Sequence, residues 1–197
     1  YVTLVNCTEN PDGSLSESPV RTGKWAWKHP HSLDGSVTYT PLRGDVRLNE
    51  VDFSYVPDKP VLKNVTVFAE PGQKVAFVGA TGAGKTTVIN LLMRFYEIQG
   101  GQILVDGKDI TEISRKSLRD TLGMVLQDTW LFEGTIRENI MYAKQDATEE
   151  EFLCAVKAAK VDHFVSTLTD GYDTVLEEDG TNLSAGQRQL ITIARVI

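Results

Sequence analysis

Cysteine is scarce. Cys7 and Cys154 are the only two in 197 residues, and they stand far apart with no metal-ligand spacing around them. Neither a disulfide framework nor a zinc site is indicated, and a reduced, cytosolic setting is expected. Positive charge is short too: 20 Lys and Arg face 27 Asp and Glu, for a formal net charge of −7, and no basic stripe offsets it. Binding a phosphate backbone needs clustered Lys and Arg, so no nucleic-acid partner is expected. No run reaches the ~20 apolar residues that cross a bilayer, and there is no internal repeat or low-complexity tract. The chain opens on YVTLVNC, with neither a Met nor a basic n-region, so no signal peptide is read there. It ends inside a helical run and is expected to be a piece of a longer protein. What remains, 41% hydrophobic and 24% charged residues, suits a globular chain with room for one sizeable domain, or one domain and an appendage.

Residues 1–44 read as irregular, with two short β-type runs, YVTLV and SVTYT, and turn signals at Pro11-Asp12-Gly13 and Asp34-Gly35. Between them, Trp25 and Trp27 alternate as on one face of a strand, which suits a β-ribbon packing its indoles on the main domain. A ligand platform is the alternative; His29 and His31 have no acidic or Cys neighbour to make them metal ligands. From Gly44 the pattern changes. DVRLNEVDFSY and VLKNVTVFAE alternate like half-exposed strands, and KVAFVG is a short apolar run expected as a strand. KTTVINLLMRFY is helical, GQILVDG a strand, RKSLRDTL a helix and GMVLQD a strand. From Gly134 onward the signal is mainly helical. The expectation is an α/β core giving way to a helical lobe near residue 130.

The stretch GATGAGKTT, residues 79–87, fits the phosphate-loop pattern G-x-x-x-x-G-K-[ST], with Gly79, Gly84, Lys85 and Thr86 at its defining places. Glycines let the backbone, here Gly79, Ala80, Thr81, Gly82, Ala83 and Gly84, close around an anion with N–H groups inward. The helix that starts there adds unpaired amides and the positive end of its dipole. Lys85 can reach β- and γ-phosphates, and the Thr86 hydroxyl can take a place on Mg²⁺. A strand before and a helix after supply the required context. A nucleoside triphosphate is the expected ligand.

Three further segments narrow the class. LSAGQ at 183–187 resembles the signature of the ATP-binding cassette family, with Ala185 where Gly is commoner. VLQDTWLFEGTIRENI at 125–140 looks like that family's glutamine loop and the segment after it, and FSY at 53–55 stands where members place an adenine-stacking aromatic. The resemblance spans about residues 44–197, and the TIRENI wording points to exporter-type members. It implies a P-loop NTPase core, a mixed sheet with an antiparallel β subdomain, joined to an α-helical signature subdomain. The core is expected at 44–130, the helical part at 131–197, and residues 1–43 as a β-ribbon or linker following a membrane domain. The helical part is expected to stop short of the strand that carries the Mg²⁺ and catalytic carboxylates.

The resemblance also assigns roles. Tyr55 would stack on adenine, or else simply pack beside its strand. Thr87 would bond the α-phosphate. Gln127 would reach Mg²⁺ or the attacking water, its alternative being a buried structural amide. Ser184 can cap the last helix, with Gln187 completing an S-x-x-Q capping box. Ser184, Gly186 and Gln187 would then face the γ-phosphate of ATP held by a second ABC domain, identical or related, in a head-to-tail dimer. Glu178 aligns with the acidic residue of an exporter cross-talk loop, although Glu177 stands where Gly is usual; solvated surface is the alternative. His163 is assigned no chemistry.

The implied function is the ATP-binding domain of an exporter, an ATPase with ATP and Mg²⁺ as ligands. It would be attached to a membrane domain of the same polypeptide at the cytoplasmic face of the membrane, the bacterial inner membrane being favoured. A degenerate, non-hydrolysing half of a heterodimer is one alternative. A soluble ATP-binding cassette ATPase is another; its usual coiled coil is absent, since no sustained heptads lie between Lys85 and Ser184.

Overall fold

A computed structural model describes residues 1–126 and 129–197. The backbone groups into two units, Tyr1–Leu122 and Gly123–Ile197, each with its own apolar core.

In the first unit the opening residues make a sheet of four antiparallel strands, β1 (Thr3–Glu9), β2 (Leu15–Glu17), β3 (Trp25–Pro30) and β4 (Val37–Pro41), in the order β2-β1-β3-β4. Both turn signals act as read: the Asp12 carboxylate accepts from Ser14 N at 2.9 Å, and Asp34 accepts from Ser36 N at 2.9 Å. Such Asx turns give the chain its reversals without tertiary help. Of the two indoles, Trp27 is fully buried while Trp25 is only half-buried. The amino end is stitched to the rest of the unit by Val2, whose N–H donates to Glu112 O at 2.9 Å and whose carbonyl accepts from Ser114 N at 3.0 Å.

The second sheet holds β5 (Val46–Val56), β6 (Lys59–Ala69), β7 (Gly100–Val105) and β8 (Lys108–Asp109), in the order β6-β5-β7-β8 and again antiparallel. Leu48, Val51 and Phe53 of β5 are buried. The three-residue step from Leu48 to Val51 keeps the apolar side inward because the pairing shifts register there, with Glu50 at φ 49°. Opposite that bulge Gly101 lies at φ 80°, and any Cβ on it would run into the Glu50 and Asn49 carbonyl oxygens. Only glycine permits so close an approach. Helix α1 (Lys85–Leu92) turns Val88 and Leu91 into this core, and α2 (Arg115–Asp120), capped by Ser114, adds Leu118.

One expectation is corrected. KVAFVG and GMVL, read as strands, form no ladder among the described residues, and every described sheet is antiparallel. A run that is apolar on both faces belongs inside a parallel sheet and needs a hydrogen-bonded neighbour at each edge. No described strand pairs with either segment, so propensity is left without a partner. Val78 is accordingly 95% exposed, and Val75, Phe77, Val125 and Leu126 are also open to solvent.

The second unit is mainly helical: α3 (Ile136–Met141), α4 (Glu149–Ala158), α5 (Val161–Val165) and α6 (Ala185–Val196), with one short ladder between β9 (Gly134–Thr135) and β10 (Val175–Leu176). Three of these helices begin with a reciprocal capping box, Thr135 with Glu138, Thr148 with Glu151 and Ser184 with Gln187. Each box satisfies amides that a helix start otherwise leaves bare. Phe152, Val156, Ile136, Leu176 and Ile191 fill the core. Asn139, fully buried among them, is completely paired: its amide donates to the Phe132 and Thr135 carbonyls and its oxygen accepts from Phe132 N. Arg195 of α6 donates to Asn139 O at 2.7 Å and Trp130 O at 3.0 Å, and burial pulls its guanidinium below the ordinary arginine range.

Candidate functional site

The phosphate-loop residues gather at the head of α1. Gly82 and Gly84 take φ values of 83° and 86°, conformations that other residues adopt only with strain. Ala83 N donates to Ala80 O at 3.1 Å, closing the turn. A side chain at Gly84 would also meet Leu62 Cδ2 at 2.8 Å. Because the cap residue is glycine, α1 starts with no side-chain cap, and its first turn holds no acidic group. Its leading amides and dipole therefore face outward uncompensated by carboxylate, which suits an anion. Gly79, Ala80, Thr81, Gly82, Ala83 and Thr86 are all exposed.

Lys85 does not extend into solvent. Its ammonium donates to Gly79 O at 2.7 Å and Ala80 O at 2.8 Å, folding across the loop it follows. The cation is thus held over the glycine turn by contacts within the loop. Neutral carbonyls are weak partners for an ammonium compared with phosphate oxygens, so exchange is favourable. The donor set, amides plus one lysine and the Thr86 hydroxyl, fits a triphosphate with a hard divalent cation.

Tyr55, on the last turn-side residues of β5, is half-exposed and reaches the same helix. Its hydroxyl donates to Thr87 Oγ1 at 3.1 Å and accepts from Asn90 Nδ2 at 3.4 Å. Its ring lies edge-on to Phe53, at 4.8 Å between centroids, and to Tyr96, at 5.0 Å. Thr87 is itself buried. The expected base-stacking residue and the expected α-phosphate ligand are therefore joined directly. Phe53, Asn90 and Tyr96 were not foreseen as parts of this corner. The i, i+2 relation of Phe53 to Tyr55 on one strand face, and the i, i+3 relation of Thr87 to Asn90 on one helix face, carry the signal.

In the second unit, Ser184 is the N-cap of α6, its Oγ accepting from Gln187 N at 3.2 Å while Ser184 N donates to Gln187 Oε1 at 2.9 Å. The cap uses the hydroxyl only as an acceptor, so its proton is left to donate. Ser184, Ala185 and Gly186 are exposed, and nothing lies near the Gly186 Cα face. The loop before them is fastened by Arg188, which donates to Leu183 O at 2.8 Å, and by Asn182, which donates to Val175 O at 3.0 Å. Glu177 and Glu178 are both exposed, and Glu177 accepts from Thr181 Oγ1 at 3.1 Å. His163 is exposed on α5. The His29 and His31 rings lie 4.6 Å apart. Gln127 lies outside the described residues.

Comparison with known proteins identifies the family. The family model described as ABC transporter matches residues 62–197. A fatty acid ABC transporter ATP-binding/permease protein of Mycobacterium bovis is 56% identical over 154 residues, covering 78% of this chain and 24% of its own length. An ATP-dependent lipid A-core flippase of Syntrophus aciditrophicus is 44% identical over 164 residues, covering 83% of this chain and 26% of its own. A solved bacterial Atm1-family ABC exporter with ATP bound superposes with a TM-score of 0.73 at 42% identity, covering 78% of this chain and 27% of that one. The chain thus spans about a quarter of the length of the relatives it matches. By these matches the chain belongs to the ABC transporter family, as a nucleotide-binding domain similar to those of exporters.

Proposed function

We propose that this chain binds ATP with Mg²⁺ and serves an exporter as its ATPase domain. The observation that carries the reading is the uncapped head of α1, where two left-handed glycines and the Lys85 ammonium leave an anion-shaped concentration of donors. Backbone amides of residues 79–86 hold the phosphate chain, and Lys85 exchanges its two carbonyls for phosphate oxygens. Thr87 bonds the α-phosphate, and Tyr55 lies against the base. Thr86, at the head of the helix, would hold Mg²⁺, and Gln127 is assigned by resemblance to the metal or the attacking water. Bound there, Mg²⁺ would supply neutralisation of the phosphate charge.

The exposed Ser184 and Gly186 suit the same chemistry from the other side. A hydroxyl proton and a helix start aimed outward form a lid for a phosphate held by a second ABC domain, the head-to-tail arrangement that the family resemblance implies. The partner is an identical or related chain, and the membrane domain belongs to the same polypeptide, which places this domain at the cytoplasmic face of the membrane. ATP does work in such an assembly only through its different affinity for the closed and open pairs, since equal affinity would shift nothing. Export is the output that the similarity to the ATP-bound Atm1-family exporter supports.

The test is titration of the protein with ATP·Mg²⁺, followed in the full-length protein by crosslinking between the phosphate loop and position 184 of a second copy. Lys85→Ala is expected to lower ATP affinity by at least tenfold, about 1.4 kcal/mol. Unchanged affinity in that variant overturns the reading.

A further inference from the structure

The corner around Tyr55 is built more heavily than a surface tyrosine requires. Behind it, Phe53 is buried, and Phe53, Tyr55 and Tyr96 contact one another in a closed triangle, with centroid separations of 4.8, 5.0 and 5.8 Å. Tyr96 arrives there because the chain reverses immediately after α1. Arg94 takes a left-handed conformation, φ 52°, and Phe95 N donates back to Asn90 O at 3.0 Å. That reversal is itself pinned. Arg94 donates to Ile110 O at 3.0 Å and Ile113 O at 3.2 Å, and Arg119 donates to Met93 O at 3.1 Å. On the far side Gln99 clamps the backbone between the two strand aromatics: Ser54 N donates to Gln99 Oε1 at 2.7 Å, and Gln99 Nε2 donates to Ser54 O at 3.3 Å.

We propose that Tyr96 and Gln99 are positioning residues that hold the Tyr55 ring in register for an adenine base, and that the Tyr55–Thr87 hydrogen bond ties this base seat to the first turn of the phosphate-loop helix. The proposal rests on the ATP-binding reading above. Stacking depends on the plane of the ring, and a half-exposed tyrosine has free rotation to lose unless something fixes it. Here both ring torsions are set before the base arrives: Phe53 and Tyr96 fix the plane, Thr87 and Asn90 hold the hydroxyl, and Gln99 fixes the strand end that carries the residue. Ordering completed in the free protein need not be repeated on binding.

Two probes separate the base seat from the phosphate seat: ATP·Mg²⁺, which engages both, and inorganic tripolyphosphate with Mg²⁺, which engages only the loop. Tyr96→Leu is expected to weaken ATP by about threefold to tenfold, the worth of an edge-on aromatic contact, while tripolyphosphate affinity stays the same. Tyr96→Phe, which keeps the ring, is expected to restore ATP binding. Gln99→Ala should show the same selective loss, so the conclusion does not hang on one variant. An equal loss of both ligands in Tyr96→Leu and Gln99→Ala, or an unchanged ratio of the two affinities, overturns the proposal. A parent protein that binds neither probe better than Lys85→Ala does overturns the ATP-binding reading itself, a different and separately visible failure.

Discussion

The indole N–H of Trp27 donates to Asp106 Oδ2 at 2.8 Å. The same carboxylate accepts from Arg43 N at 2.9 Å and, through its other oxygen, from Asp45 N at 2.9 Å. One side chain in the β7–β8 turn thus ties the buried tryptophan of the opening sheet to the entry of β5.

Removing that anchor has a distinct cost from removing the ring. Asp106→Ala leaves three donors without their acceptor and is expected to cost about 2–4 kcal/mol. Trp27→Ala also empties a core position and is expected to cost about 3–5 kcal/mol. Urea unfolding of both variants checks the order, and an Asp106→Ala protein as stable as the parent would show that the carboxylate is dispensable.

Gly84→Ala combines strain with collision. At φ 86° an alanine is destabilised by about 1–2 kcal/mol, and its methyl would press on Leu62 Cδ2 at 2.8 Å. The expected outcome is a lower melting temperature together with loss of ATP binding, because the loop and the head of α1 are displaced together. Calorimetry measures both, and retention of full affinity would contradict the geometry of the loop.

Ser184 allows the cap to be separated from its exposed hydroxyl. Ser184→Ala is expected to cost about 1 kcal/mol through loss of the capping box. Ser184→Asp caps α6 as well as serine does, so stability is retained, but it sets a negative charge where a partner's phosphate would approach. Thermal unfolding of the two variants, with ATP-dependent dimerisation of the full-length protein, distinguishes them. Dimerisation intact in Ser184→Asp would exclude the lid role.

The apolar run at 75–78 makes a surface prediction. Val78→Ser should lower binding of a hydrophobic dye while changing stability by less than about 0.5 kcal/mol, since the side chain is 95% exposed. A dye signal unaltered in the variant would place the sticky surface elsewhere.

Much of the candidate site's geometry was legible in the residues because it is made within short stretches. The glycines at 82 and 84, Lys85 and the start of α1 lie within one short stretch, and the Ser184–Gln187 box closes within a single helical turn. The strands expected at KVAFVG and GMVL were not found because a strand, unlike a helix, has no hydrogen bonds of its own and exists only where a neighbour accepts its backbone. Phe53 and Asn90 have only a local spacing signal toward Tyr55 and Thr87, and Tyr96 and Gln99 have none: they arrive from the reversal after α1, and no spacing rule links them to β5.

By itself the sequence determined where the anion-binding turns, the capped helices and the alternating strands occur, since each is decided by contacts among residues a few positions apart. Only the tertiary structure decided that Trp27 is anchored on Asp106, that Tyr55 is tied to Thr87, and that the apolar run before the loop pairs with no strand among the described residues. Those outcomes depend on which distant segment supplies the matching donor, ring or strand edge, and the chain must fold before such partners meet.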